Sequence, residues 1–245
     1  MPKRRAVAGF LVAAVIGGLA MLVMACSWVR SVALLAPPWA GFAEVAPDIW
    51  VERGADASTR EKALLAAREA RARIERFYAR PEGHPILLAC GTFNCFRWHG
   101  GIGHGTTYFG NRVLLSPLAV NPVKAAHEFS HVELSARVGA LRALLRVPSW
   151  FDEGLAVLVS EDPVFAEDRW LVETSGGATA PALDQLASMA DWLAATRAHL
   201  PAYGTARHEV AAWYTRAGPW GLARLFAKLR AGEEFRRAYG EFASR

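Results

Sequence analysis

His127-Glu128-Phe129-Ser130-His131 is the stretch from which the rest of this chain is read. On an α-helix the step from His127 to His131 is about one turn, so both imidazoles leave the same face and can grip one ion. Glu128 projects beside that ion instead of onto it, where a carboxylate can take a proton from a metal-bound water. A catalytic zinc takes a third protein ligand and keeps one position open. The best-placed oxygen donor after the histidines is Glu153, within Trp150-Phe151-Asp152-Glu153-Gly154. This reading gives Zn2+ on His127, His131 and Glu153, with Glu128 as base.

The surrounding residues supply the helices that this chemistry needs. Asn121-Pro122 offers an N-cap and a proline at the first helical position, and Val123, Ala126, Ser130 and Leu134 carry the helix past the histidines. Val138 to Val147 is a second apolar helical patch, stopped by Pro148. Ser149 is expected to cap the helix bearing Glu153, with Trp150 and Phe151 as packing anchors and Gly154 permitting close helix approach. Asp152 is either exposed or the partner that orients a ligand histidine.

Pro148-Ser149-Trp150-Phe151-Asp152-Glu153-Gly154-Leu155-Ala156, following a His-Glu-x-x-His helix, resembles the gluzincin metallopeptidases, especially the membrane aminopeptidases and their small bacterial relatives. The resemblance covers most of residues 56 to 242. It implies an α+β, zincin-like domain with a small mixed sheet, an active-site helix and a helical C-terminal lobe, acting on a peptide or protein substrate. It also implies that Tyr203, opening Tyr203-Gly204-Thr205-Ala206, steadies the tetrahedral intermediate. The strand before the metal helix, here within Thr106 to Leu115, would form the cleft edge. The Gly-x-Met-Glu-Asn element with which the aminopeptidases hold a free amine is missing. Several other gluzincins carry an acid one turn beyond the Glu ligand, where this chain has Val157, so Glu133 or Glu161 is expected to take that part. The alternative is a catalytically inactive zincin-fold binding protein tethered to a membrane.

Composition bounds the remaining classes. The 245 residues suffice for one domain with a core, and three cysteines are too few for a disulfide scaffold. The formal charge is +5, of which Lys3, Arg4 and Arg5 supply three, leaving +2. Arg68, Arg71, Arg73 and Arg76 interleave with Glu61, Glu69 and Glu75 at helical spacing, which reads as a solvated, salt-bridged face, so no nucleic-acid partner is expected.

Behind the basic triplet, residues 6–25 form an uncharged apolar run long enough to cross a bilayer as a helix. Segment 1–26 is read as a membrane anchor or signal segment, with basic residues holding the N-terminus in the cytoplasm and the domain outside, on the periplasmic side. A lipoprotein attached through Cys26, in Val23-Met24-Ala25-Cys26, and a cleaved signal peptide are the rivals. Residues 27–55, rich in proline and tryptophan, read as a juxtamembrane connector with one short strand at Ile49-Trp50-Val51, and 56–245 as the peptidase domain. Ser58 to Arg80 reads as an amphipathic helix and His84 to Ala89 as a strand, with His84 an edge residue. Cys90 and Cys95 either close a small disulfide loop or stay reduced under the sheet. His99 to Gly105 reads as a flexible turn, and His208 as a surface or core residue.

Overall fold

The computed structural model describes residues 30–242. The anchor segment, Cys26 and the first residues of the connector lie outside them. The first strands, β1 (Phe42–Ala46) and β2 (Ile49–Glu52), form an antiparallel hairpin. A 22-residue helix, α1 (Ala57–Tyr78), then crosses to β3 (Ile86–Ala89), parallel to β2. Asp56 caps α1 by accepting the Thr59 amide at 2.7 Å. After the short α2 (Phe93–Trp98), a hairpin of β4 (Gly105–Tyr108) and β5 (Arg112–Leu115) adds β5 parallel to β3. The mixed sheet has the order β1-β2-β3-β5-β4, with β1 and β4 at its two edges among the described residues. The fold class is α+β.

Two expectations are revised here. The stretch read as a connector contributes two full strands, so residues 42–52 belong to the domain. The single strand read over Thr106 to Leu115 is a hairpin, turned at Phe109 and Gly110, which both take positive φ.

Both faces of the sheet are covered, which explains the unbroken apolar run of β3. Leu87 and Ala89 point into the main core with Ile49, Val51, Val113 and Leu115. Leu88 and Leu114 point the other way, against Leu34, Phe42 and Phe96. The first face carries α1 and α3 (Pro122–Val138), the helix of His127 and His131. Ala63, Ala66, Ala67 and Ala70 are completely buried on α1, and side chains this small let the two helices lie close.

The short α4 (Ala140–Arg146) leads to α5 (Ser149–Ser160), which carries Glu153. Pro148, not Ser149, occupies the N-cap, and the Ser149 amide is satisfied by Ala187 O at 2.9 Å. The loosely patterned stretch after Asp162 contains α6 (Glu167–Glu173) and α7 (Met189–Arg197). The closing lobe is α8 (Ala202–Arg230), kinked where Gly218 takes φ 65°, and α9 (Phe235–Gly240). Phe151, Trp150, Trp213, Phe235 and Tyr239 form an aromatic knot that fastens α5 to this lobe. Among the described residues, no helix is long and apolar enough to cross a membrane.

Candidate metal and catalytic site

The site lies where α3, α5, α8 and the edge strand β4 meet. Asn121 accepts the Lys124 amide at 3.0 Å, and Pro122 fills the first helical position, which fixes where α3 begins and hence where its histidines point. His127 and His131 leave one face, with ring centroids 4.9 Å apart. On α5, Gly154 lies so close to α8 that an added Cβ would sit 2.4 Å from Ala206 O. That approach brings the preceding residue, Glu153, to the histidines.

Glu153 Oε2 is 3.2 Å from His127 Nε2 and 3.9 Å from His131 Nε2. That oxygen is shielded from solvent and has no well-aligned hydrogen-bond donor. A buried carboxylate oxygen without a donor is costly, and two imidazole nitrogens beside it make these three side chains a candidate donor set for a divalent cation. The side chains of His127, His131 and Glu153 are 13%, 15% and 14% exposed, so the site is reachable from solvent.

Glu128 comes within 4.8 Å of donor atoms of both histidines, and by distance alone it too could be a ligand. Its hydrogen bonds argue otherwise. Thr107 Oγ1, on β4, donates to Glu128 Oε2 at 2.8 Å, whereas Glu153 Oε2 is unclaimed. Gly105 passes close beside it: a Cβ there would stand 2.7 Å from Glu128 Oε1. Sequence reasoning placed the edge strand but missed Thr107, because a threonine in a strand ordinarily signals β-propensity and nothing more.

Asp152 orients His131. His131 Nδ1 donates to Asp152 Oδ1 at 2.6 Å, which leaves Nε2 facing Glu153. Burial alone would lower the His131 pKa. The Asp152 charge and hydrogen bond, followed by Glu153 and Glu128, outweigh it and push the pKa up to about 10. A bound cation would replace the Nε2 proton. Glu153 is held below the usual carboxylate range, its burial offset by the two histidines.

Neither carboxylate expected to orient a histidine does so. Glu133 accepts the amides of Glu82 and Gly83 and the Arg137 guanidinium, tying α3 to the loop before β3. Glu161 pairs with Arg73 and Arg76 on α1.

The ring of Tyr203 is 6.2 Å from that of His127, stacked on Phe165 and edge-on to Trp192. Burial, and then the Glu153 charge, raise its pKa above the ordinary phenol value. His208 instead stacks on Trp170 at 3.8 Å and bonds Glu167 at 2.6 Å. His84 is exposed and its carbonyl accepts the Asn111 amide group.

Cys90 and Cys95 are joined in a disulfide, and Glu52 accepts the Gly91 and Thr92 amides and the Thr92 hydroxyl beside it. Thiols so linked are unavailable to a metal. Two clefts of about 360 and 410 Å³, lined in part by Asp162 and Arg207 and by His84 and Glu133, exclude both site histidines. No family model, curated protein or solved structure matches the chain.

Proposed function

We propose that this chain is a zinc-dependent peptidase of gluzincin type, exported and held at a membrane by its N-terminal segment. The observation that carries the reading is the buried, unbonded Glu153 Oε2 between His127 Nε2 and His131 Nε2. These three residues would hold the metal, and zinc bound there would act as a Lewis acid that lowers the pKa of its water and polarises a carbonyl.

The chain's own residues do the rest. Asp152 fixes the His131 tautomer. Thr107 holds the Glu128 carboxylate, which takes a proton from the attacking water and passes it to the leaving amine. Tyr203, kept protonated by its surroundings, donates to the developing oxyanion. The outer side of β4 can pair with an extended peptide backbone, giving affinity with little sequence preference.

The test compares the full chain with Glu128→Gln and Glu153→Ala, measuring bound metal and cleavage of an unfolded polypeptide. Wild type should hold one zinc and cleave; Glu128→Gln should hold zinc and not cleave; Glu153→Ala should lose or weaken zinc. Zinc in the wild type without cleavage of any polypeptide would move the inactive binding protein to first place. Cleavage by Glu128→Gln would end this mechanism.

A further inference from the structure

The second face of the sheet is covered by residues 30–42 and by α2, which bury Leu34, Phe42 and Phe96 against Leu88 and Leu114. The same two segments turn large apolar side chains outward: Trp39 is 91% exposed, Trp98 59% and Leu35 47%, and Ile102, in the loop after α2, is 67% exposed. Arginines sit among them. The Arg30 guanidinium carbon lies 3.9 Å over the Trp98 ring, and that of Arg97 lies 5.9 Å from the Phe93 ring centroid.

The two segments are locked together through buried His99. Its Nδ1 faces Arg30 O at 3.3 Å and its Nε2 faces Ala40 O at 3.1 Å, while Ser31 Oγ donates to His99 O at 3.2 Å. The Arg53 guanidinium donates to Pro38 O at 2.6 Å. The disulfide and Glu52 pin the start of α2. The exposed aromatics therefore stand on a fixed frame.

Scattered surface apolar residues need no explanation, but tryptophan with arginine on one frame is the composition of a membrane interface. Only four residues separate Arg30 from the uncharged run 6–25. We propose that this face, centred on Trp39 and Trp98, docks into the headgroup region of an anionic lipid bilayer. The proposal rests on the reading of residues 6–25 as a membrane anchor. Arg30, Arg53 and Arg97 supply the charge complementary to anionic headgroups.

Docking there places the metal site near the bilayer. Gly105, beside Glu128, is seven residues from Trp98. Seven residues span at most about 25 Å, so Gly105 stays within that distance of the docked Trp98, with the Glu128 carboxylate beside it.

The test uses the full chain reconstituted in phosphatidylcholine/phosphatidylglycerol vesicles, with tryptophan emission quenched by lipids brominated near the headgroup. The variants are Trp39→Phe/Trp98→Phe and, as control, Trp220→Phe, whose tryptophan is 65% exposed on α8. Trp28, beside the apolar run, contributes equally to all. The quenched share of emission should fall about twofold or more in the double variant and stay unchanged in the control. A chain that floats with the vesicles but is quenched equally in wild type and double variant keeps its anchor and overturns the docking face. A chain that does not float loses the anchor and the docking face together. Shielding of Trp39 and Trp98 from both bromolipid and aqueous iodide would show a protein surface there, a second copy or the chain's own first residues, and would likewise overturn the proposal.

Discussion

Asp152 controls what His131 can bind. Its carboxylate accepts the Nδ1–H hydrogen bond at 2.6 Å and leaves Nε2 toward Glu153. Asp152→Asn keeps the shape but weakens both the charge and the tautomer preference, so affinity for zinc should fall about 10- to 100-fold, read by competition against a chelator. An unchanged affinity would mean that Asp152 does not set how His131 binds. The sequence showed Asp152 only as the residue before Glu153, with two roles open. Helical spacing says which face a side chain leaves by, but which of two carboxylates reaches His131 depends on how α5 crosses α3.

A second acid acts away from the chemistry. Asp162 receives the Lys124 ammonium at 2.7 Å and the Val164 amide at 3.0 Å. Burial raises its pKa, but these partners outweigh it and hold it below the ordinary 3.8. A depressed carboxylate contributes stability above its unfolded pKa and loses it as pH falls through the folded value. Wild type should therefore lose thermal stability over Asp162→Asn as the pH is taken from about 5 down to about 2. Near neutral pH the variant should be less stable by about 1–2 kcal/mol, since Lys124 loses its partner. Equal slopes of melting temperature against pH would remove this role from Asp162.

At the scale of elements, the crossing of α5 and α8 is set by the missing side chain at Gly154. An added Cβ would lie 2.4 Å from Ala206 O, and a backbone atom cannot swing aside as a side chain can. Gly154→Ala should cost about 2–3 kcal/mol in denaturant unfolding, with zinc affinity falling as Glu153 is pushed off the histidines. Retained stability would mean the helices can separate without cost. This approach was legible in the sequence as a glycine inside an apolar helical pattern. Helix α3 was equally legible, because Asn121 and Pro122 mark its start.

Strand β1 was obscured, and β2 was legible only as the short strand Ile49-Trp50-Val51, for a different reason. Proline and tryptophan around Phe42–Glu52 suggest an irregular connector, and their place in the sheet comes from non-local pairing of Ile49 with Leu87 and Val51 with Ala89. Helices α6 and α7 were missed because each has only one strong buried anchor, Trp170 and Trp192, too few to show a period.

For the molecule as a whole, the proposed ion would bridge two parts that fold from distant sequence. His127 and His131 belong to the helix packed on the sheet, and Glu153 to the helix packed on the C-terminal lobe. A ligand that binds only the folded state stabilises it by mass action, about 2.7 kcal/mol at a hundredfold excess over the dissociation constant. For a domain of this size that corresponds to about 5–10 °C in melting temperature. Zinc added to the metal-free full chain should raise the midpoint by that amount, and Glu153→Ala should show little of the shift. Two opposing terms act on the variant without metal. Removing Glu153 abolishes a buried, unbonded oxygen but also the negative charge facing His127 and His131. The metal-free variant should therefore melt close to the metal-free wild type, and the gap between them should open only as zinc is added. A gap already present without zinc would make Glu153 a structural residue first and a ligand second.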